Sequence, residues 1–118
     1  MADAFKVESR RHDTLWIFST HGYINNFGGE SIASKFDEAF KEGGRSFVFD
    51  LTQSNIINSI GISFLIEILE TVLESDGKLA FCNCAPIIEK TFKIMGITQY
   101  ARIYTSLDDA LNDMRENK

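Results

Sequence analysis

Histidine, cysteine and proline are scarce in this chain: 118 residues hold two histidines, two cysteines and one proline. Two histidines outside any recognisable motif leave a serine or cysteine triad without support. The two thiols, Cys82 and Cys84, have no histidine nearby and make a poor zinc site. In an extended segment their Cα atoms would stand roughly two strand rises apart, near the upper limit for a disulfide. Core packing is the expected role of both. A phosphate-cradling Gly-x-x-x-x-Gly-Lys loop is missing, since Gly43-Gly44 has no lysine in the right place. Gly61-Ile62-Ser63-Phe64-Leu65 lacks the second glycine of a hydrolase elbow, so Ser63 is not expected to be a nucleophile.

Positive charge is also short. Twelve lysines and arginines face seventeen acids, for a formal charge of -5 and a pI near 4.9. Nucleic acid or an anionic membrane as the main partner would need a basic face. A basic or amphiphilic protein partner suits the chain better. No apolar run approaches the length that crosses a bilayer, and the opening Met1 to Glu8 has no apolar signal core. The expectation is a cytoplasmic protein with no membrane insertion. What is present, 44% hydrophobic and 25% charged residues, fits one ordinary globular domain over residues 1–118.

Taken in order, Phe5 to Ser9 and Leu15 to Phe18 read as two strands, with Arg10 to Asp13 as the turn of a hairpin. His12 falls in that turn and His21 just after the second strand. Gly22 to Gly29 reads as a loop, and Glu30 to Phe40 as a helix with Ile32, Ala33, Phe36, Ala39 and Phe40 on one face, stopped by Gly43-Gly44. Phe47 to Phe49, stopped by Asp50, is a buried strand. Lys78 to Cys82 is another. Pro86 sits in the first turn of a helix carrying Ile87, Ile88, Phe92 and Met95 and ended by Gly96. A short strand surrounds Arg102 to Tyr104. Ser106 caps a last helix with Asp108 and Asp109 in its first turn and Arg115 and Lys118 near its end. Strands alternating with helices after a hairpin predict an α/β fold with a mostly parallel sheet.

The stretch Phe47 to Leu73 organises the rest. After the strand, Asn58-Ser59-Ile60-Gly61 precedes a helix with apolar residues at Ile60, Phe64, Ile68 and Val72, flanked by Leu65 and Leu69. An Asn-Ser pair there starts a helix, because either side chain can accept from the first unpaired amides. Read alone, Ser59 is a cap. The same amides and the helix dipole can also receive a phosphate, so its hydroxyl is chemically suited to phosphorylation. Ile62 and Ile66 fall on a different helical face from the Ile60 stripe, so they read either as core or as a partner surface beside the turn. Asp50 at a strand end invites comparison with a phospho-accepting aspartate. That chemistry needs an acidic cluster for magnesium, and the first strand offers only Glu8 before two arginines.

The whole pattern resembles the STAS domain, and within that family the small bacterial anti-sigma factor antagonists. Gly22-Tyr23-Ile24-Asn25 is similar to the family's Gly-x-hydrophobic-Asp. Asn58-Ser59-Ile60-Gly61 is similar to its Asp-Ser-Ser-Gly, and Cys82 to Pro86 with Phe92 and Gly96 to its third motif. The resemblance implies a binding module that is not an enzyme and needs no cofactor or metal. Ser59 would be the phosphorylation site. The partner would be an anti-sigma factor that is also a serine-protein kinase, bound by the unmodified antagonist and released by the phosphorylated one. Asn58 and Gly61 would shape the turn, and Asn25, Ile62 and Ile66 would contact the partner. Asn25, Asn58 and Ile60 depart from the family's Asp, Asp and Ser. The rival expectation is a STAS scaffold subunit whose Ser59 is never modified, for example in a lipid-transport complex.

Overall fold

The computed structural model describes residues 4–116; Lys118 lies outside them. Strands β1 (Lys6–His12) and β2 (Leu15–His21) form the hairpin. They are followed by α1 (Asn26–Lys41), β3 (Ser46–Gln53), α2 (Ser59–Glu74), β4 (Lys78–Cys82), α3 (Pro86–Ile94), a 3-10 turn (Ile97–Gln99), β5 (Arg102–Tyr104) and α4 (Leu107–Glu116). The sheet runs β1-β2-β3-β4-β5. Its β1–β2 pair is antiparallel and the rest are parallel. This is the expected α/β arrangement, with strands that are neighbours in sequence also neighbours in space.

Strand alternation sends the side chains to two cores. Phe18, Phe47, Phe49, Leu51, Leu79 and Phe81 point to the face where α1, α2 and α3 supply Ile32, Phe36, Leu65, Val72, Ile88 and Phe92. Leu15, Val48 and Cys82 point the other way and meet Ala110 of α4. Aromatic rings cross the first face from strand to strand. Phe18 stacks on Phe49 at 5.0 Å, Phe49 on Phe81 at 5.8 Å, and Phe81 tilts against Phe92 at 4.7 Å. Each fully buried ring contributes about 1.5–3 kcal/mol by leaving water, so this row holds the sheet register and the helices together.

Several boundaries move from their sequence-based positions. The hairpin turns on Asp13 and Thr14 alone, with Asp13 at φ 58°, and Arg10 to His12 continue β1 as exposed strand residues. β3 runs past Asp50 to Gln53, because β2 continues alongside it as far as His21. α1 begins at Asn26, well before Glu30, which places Gly28 and Gly29 inside a helix. The reason is packing: a Cβ on Gly29 would stand 2.3 Å from the Phe64 ring of α2, so the two helices can lie this close only with glycine there.

Candidate functional site

Two loop-to-helix junctions meet at the C-terminal ends of β2 and β3. Gly22 donates its amide to the Gln53 carbonyl at 3.0 Å, Ile24 donates to the Ile56 carbonyl at 3.0 Å, and Asn58 donates to the Ile24 carbonyl at 3.1 Å. Ile24 and Ile57 thereby form an isolated parallel bridge beyond the sheet proper. Below it the buried hydroxyls of Thr20 and Ser54 satisfy each other at 2.7 Å. Gly61 fits beneath the bridge because it has no side chain. A Cβ there would lie 2.1 Å from the Ile24 carbonyl oxygen.

The junctions are built alike. Asn25 caps α1 with its side-chain oxygen accepting from the Gly28 amide at 3.0 Å, and Asn58 caps α2 by accepting from the Gly61 amide at 2.8 Å. Their backbones match, φ -106° and -105°, both extended. The pattern Asn, polar, apolar, Gly occurs twice: Asn25-Asn26-Phe27-Gly28 and Asn58-Ser59-Ile60-Gly61. That repetition is the signal in the sequence that locates the start of α1, and it identifies Phe27 as the counterpart of Ile60.

Ser59 is the first residue of α2 and is exposed. The amides of Ser59 and Ile60 make no hydrogen bond among the described residues, Asn58 having capped only that of Gly61. Neither α1 nor α2 has an acid in its first turn, whereas α3 has Glu89 and α4 has Asp108 and Asp109. The positive end of α2 is therefore left without a compensating carboxylate from its own first turn, next to a free hydroxyl.

The apolar surface at these junctions is not the one expected from the helical stripe. Ile62 is 6% exposed and belongs to the core with Leu65, Ile68, Leu69 and Val72, and Ile66 is half-buried and packs against the same core. Ile62 therefore has no surface to offer a partner. Gly61 sets this helical phase: holding it against Ile24 turns Ile62 inward and Ile60 outward. Ile60 is 50% exposed, Ile56 58%, Phe27 60% and Tyr23 45%. These four apolar side chains sit on the two bridged junctions. Asn25 and Asn58 are half-buried and Gly61 is buried.

The remaining candidates are structural. Asp50 accepts from the Thr52 amide and hydroxyl and from the Asn83 side chain at 3.1 Å, so it ties the β3 end to the β4 end. No group of three or more potential metal ligands surrounds it or any other point among the described residues. Cys82 and Cys84 are free thiols. Burial pushes both up to about 12, with the Asp50 carboxylate adding to the effect at Cys82 and Glu89, then Asp50, at Cys84. No described helix is long and apolar enough to cross a membrane.

A family model for the STAS domain matches residues 6–110. A protein of Bordetella bronchiseptica, BtrV, named as an anti-sigma factor antagonist, is 22% identical over 105 residues, covering 89% of this chain and 90% of its own length. Among solved structures, an anti-sigma factor antagonist from Mycobacterium paratuberculosis superposes with a TM-score of 0.84 at 20% identity, covering 95% of each chain. The Bacillus cell fate determinant SpoIIAA in its phosphorylated form gives 0.74 at 17% identity over 94% of this chain and 99% of its own. At these identities the structures establish a shared fold.

Proposed function

The chain belongs to the STAS domain family, and from that premise we propose that it is an anti-sigma factor antagonist switched by phosphorylation of Ser59. Unmodified, it binds an anti-sigma factor that is also a serine kinase, and a sigma factor or equivalent output is released. Phosphorylated, it lets go. The observation that carries this reading is the exposed Ser59 hydroxyl at an uncompensated helix start, bordered by exposed Tyr23, Phe27, Ile56 and Ile60.

The chemistry follows from that placement. The Ser59 oxygen attacks the γ-phosphorus of ATP held by the kinase, the bond to the β-phosphate oxygen breaks, ADP leaves, and the hydroxyl proton passes to a base on the kinase. The product adds about 1.5–2 negative charges at neutral pH. In the free protein those charges lie beside the Ser59 and Ile60 amides, where the helix dipole favours an anion by about 0.3–1 kcal/mol. In a complex they would be taken out of water against an apolar surface, which is costly for any charge not fully paired. Phosphate thus stabilises the free form relative to the bound one. Asn58 suits this role: it caps the helix without placing a carboxylate beside the phosphate, as Asp would. The partner contacts under this reading are Asn25, Asn58, Ser59 and the four exposed apolar side chains, with Ile66 at most at the margin and Gly61 setting the shape.

The test is to capture the kinase with the Ser59→Ala chain, then incubate it with wild type and ATP. Phosphoserine at Ser59 by mass spectrometry, with binding kept by Ser59→Ala and lost by Ser59→Asp, is the expected result. An unmodified Ser59, together with equal binding of wild type and Ser59→Asp, would leave a scaffold subunit. A hydroxylamine-labile phosphate would move the chemistry to Asp50.

A further inference from the structure

The sheet is open at both ends, and of its two edge strands β1, with 7 residues, is much longer than β5, with 3. β1 pairs with β2 along its whole length, Lys6 to His12, and no other described strand lies along its outer edge. Seven residues of strand leave their alternate amides and carbonyls facing outward, a template for another strand. We propose that this edge joins two copies of the chain, β1 against β1, antiparallel and centred on Ser9. The proposal is independent of the Ser59 switch.

The argument is one of symmetry and charge. Antiparallel strands from identical copies are related by a two-fold axis perpendicular to the sheet, and that axis passes between a residue and its own copy. Centred on Ser9, the middle of the strand, all seven residues overlap. Glu8 then faces Arg10 and Arg10 faces Glu8, while Lys6 faces His12 and Val7 faces Arg11. Centring on Glu8 would set Glu8 against Glu8 and Lys6 against Arg10. Centring on Arg10 would set Arg10 against Arg10. Opposite charges directly across a strand pair stabilise it and like charges do the reverse, so the sequence favours the Ser9 register over its two neighbours. Within one chain this complementarity is unused. Glu8 and Arg10 are exposed, face Ser19 and Ile17 across the hairpin, and form no ion pair among the described residues. The contact is small, which suits a weak and reversible dimer.

Sedimentation equilibrium on the full chain, from about 10 μM to about 1 mM, covers the range where a small interface associates. The average mass should rise from one chain toward two. E8R and R10E should each weaken association roughly tenfold, since each turns two attractive cross-strand pairs into repulsive ones. An equimolar mixture of E8R and R10E should associate again, because each variant supplies the charges that the other lacks. Circular dichroism unchanged in both variants ties the loss to the edge. A wild-type mass of one chain throughout, unaltered association of E8R, or a mixture that stays monomeric would each overturn the proposal.

Discussion

Replacing Gly61 by alanine tests how the site is held together. An exposed helical glycine usually gains about 1 kcal/mol from that change. Here the new Cβ would stand 2.1 Å from the Ile24 carbonyl oxygen and 2.9 Å from its carbonyl carbon. Ordinary van der Waals contact begins at 3.4 Å, well beyond the 2.1 Å found here, and both obstacles are backbone. The start of α2 must therefore draw back from the β2–α1 junction. That movement stretches the Asn58-to-Ile24 and Ile24-to-Ile56 hydrogen bonds, each contributing about 0.5–1.5 kcal/mol net. Overpacking adds about 1–3 kcal/mol. Against the propensity gain of about 1 kcal/mol, Gly61→Ala should destabilise the protein by about 1–5 kcal/mol, toward the upper end if both hydrogen bonds are lost outright. Urea unfolding gives the stability, and amide exchange should show faster opening at Asn58 and Ile24 than at the centre of β3. Stability equal to or above wild type would mean that the bridge does not constrain the helix start, and the positioning of Ser59 argued from it would fail.

The twin caps can be compared directly. Asn58→Ala should cost about 1 kcal/mol in urea unfolding, whereas Asn58→Asp keeps the cap and should leave stability equal or slightly higher while lowering the rate of Ser59 phosphorylation. Thr20→Val and Ser54→Ala should each cost about 1–3 kcal/mol by orphaning a buried hydroxyl, and the double variant should cost less than their sum. The thiols titrate near 12 in the fold, above their unfolded value. Their contribution to stability is therefore fully present below the unfolded value and is lost as pH rises toward 12. Unfolding midpoints should fall across that alkaline range, and less so in Cys84→Ser. Iodoacetamide at neutral pH should label Cys82 and Cys84 slowly in the native chain and fast in denaturant.

Features written in local chemistry were legible in the sequence alone. Lys78–Cys82 and Arg102–Tyr104 are strands where the apolar runs indicate, Pro86 opens its helix, and the Ser106 hydroxyl accepts from the Asp109 amide at 3.1 Å. What depended on distant partners was not. Gly28-Gly29 looks like a loop until Phe64, far along the chain, is seen to need the space beside Gly29. α2 carries apolar residues at positions 60, 62, 64, 65, 66, 68, 69, 72 and 73, so periodicity alone cannot choose between a helix with Ile60 inward and one with Ile62 inward. The choice is made by Gly61 meeting Ile24, a contact between separate loops. Ser59 was legible as a helix-start residue, but its apolar surroundings were not.

The Ile24–Ile57 bridge joins chain segments that are well apart in sequence. The surface around Ser59 consequently exists only after β2 and β3 have found each other. A chain still emerging from the ribosome, or a short peptide spanning Asn55 to Leu65, would display the serine without the Tyr23 and Phe27 half of its setting. Under the proposed function, a misfolded antagonist could not titrate its target, and the cell would be spared a false signal from damaged copies.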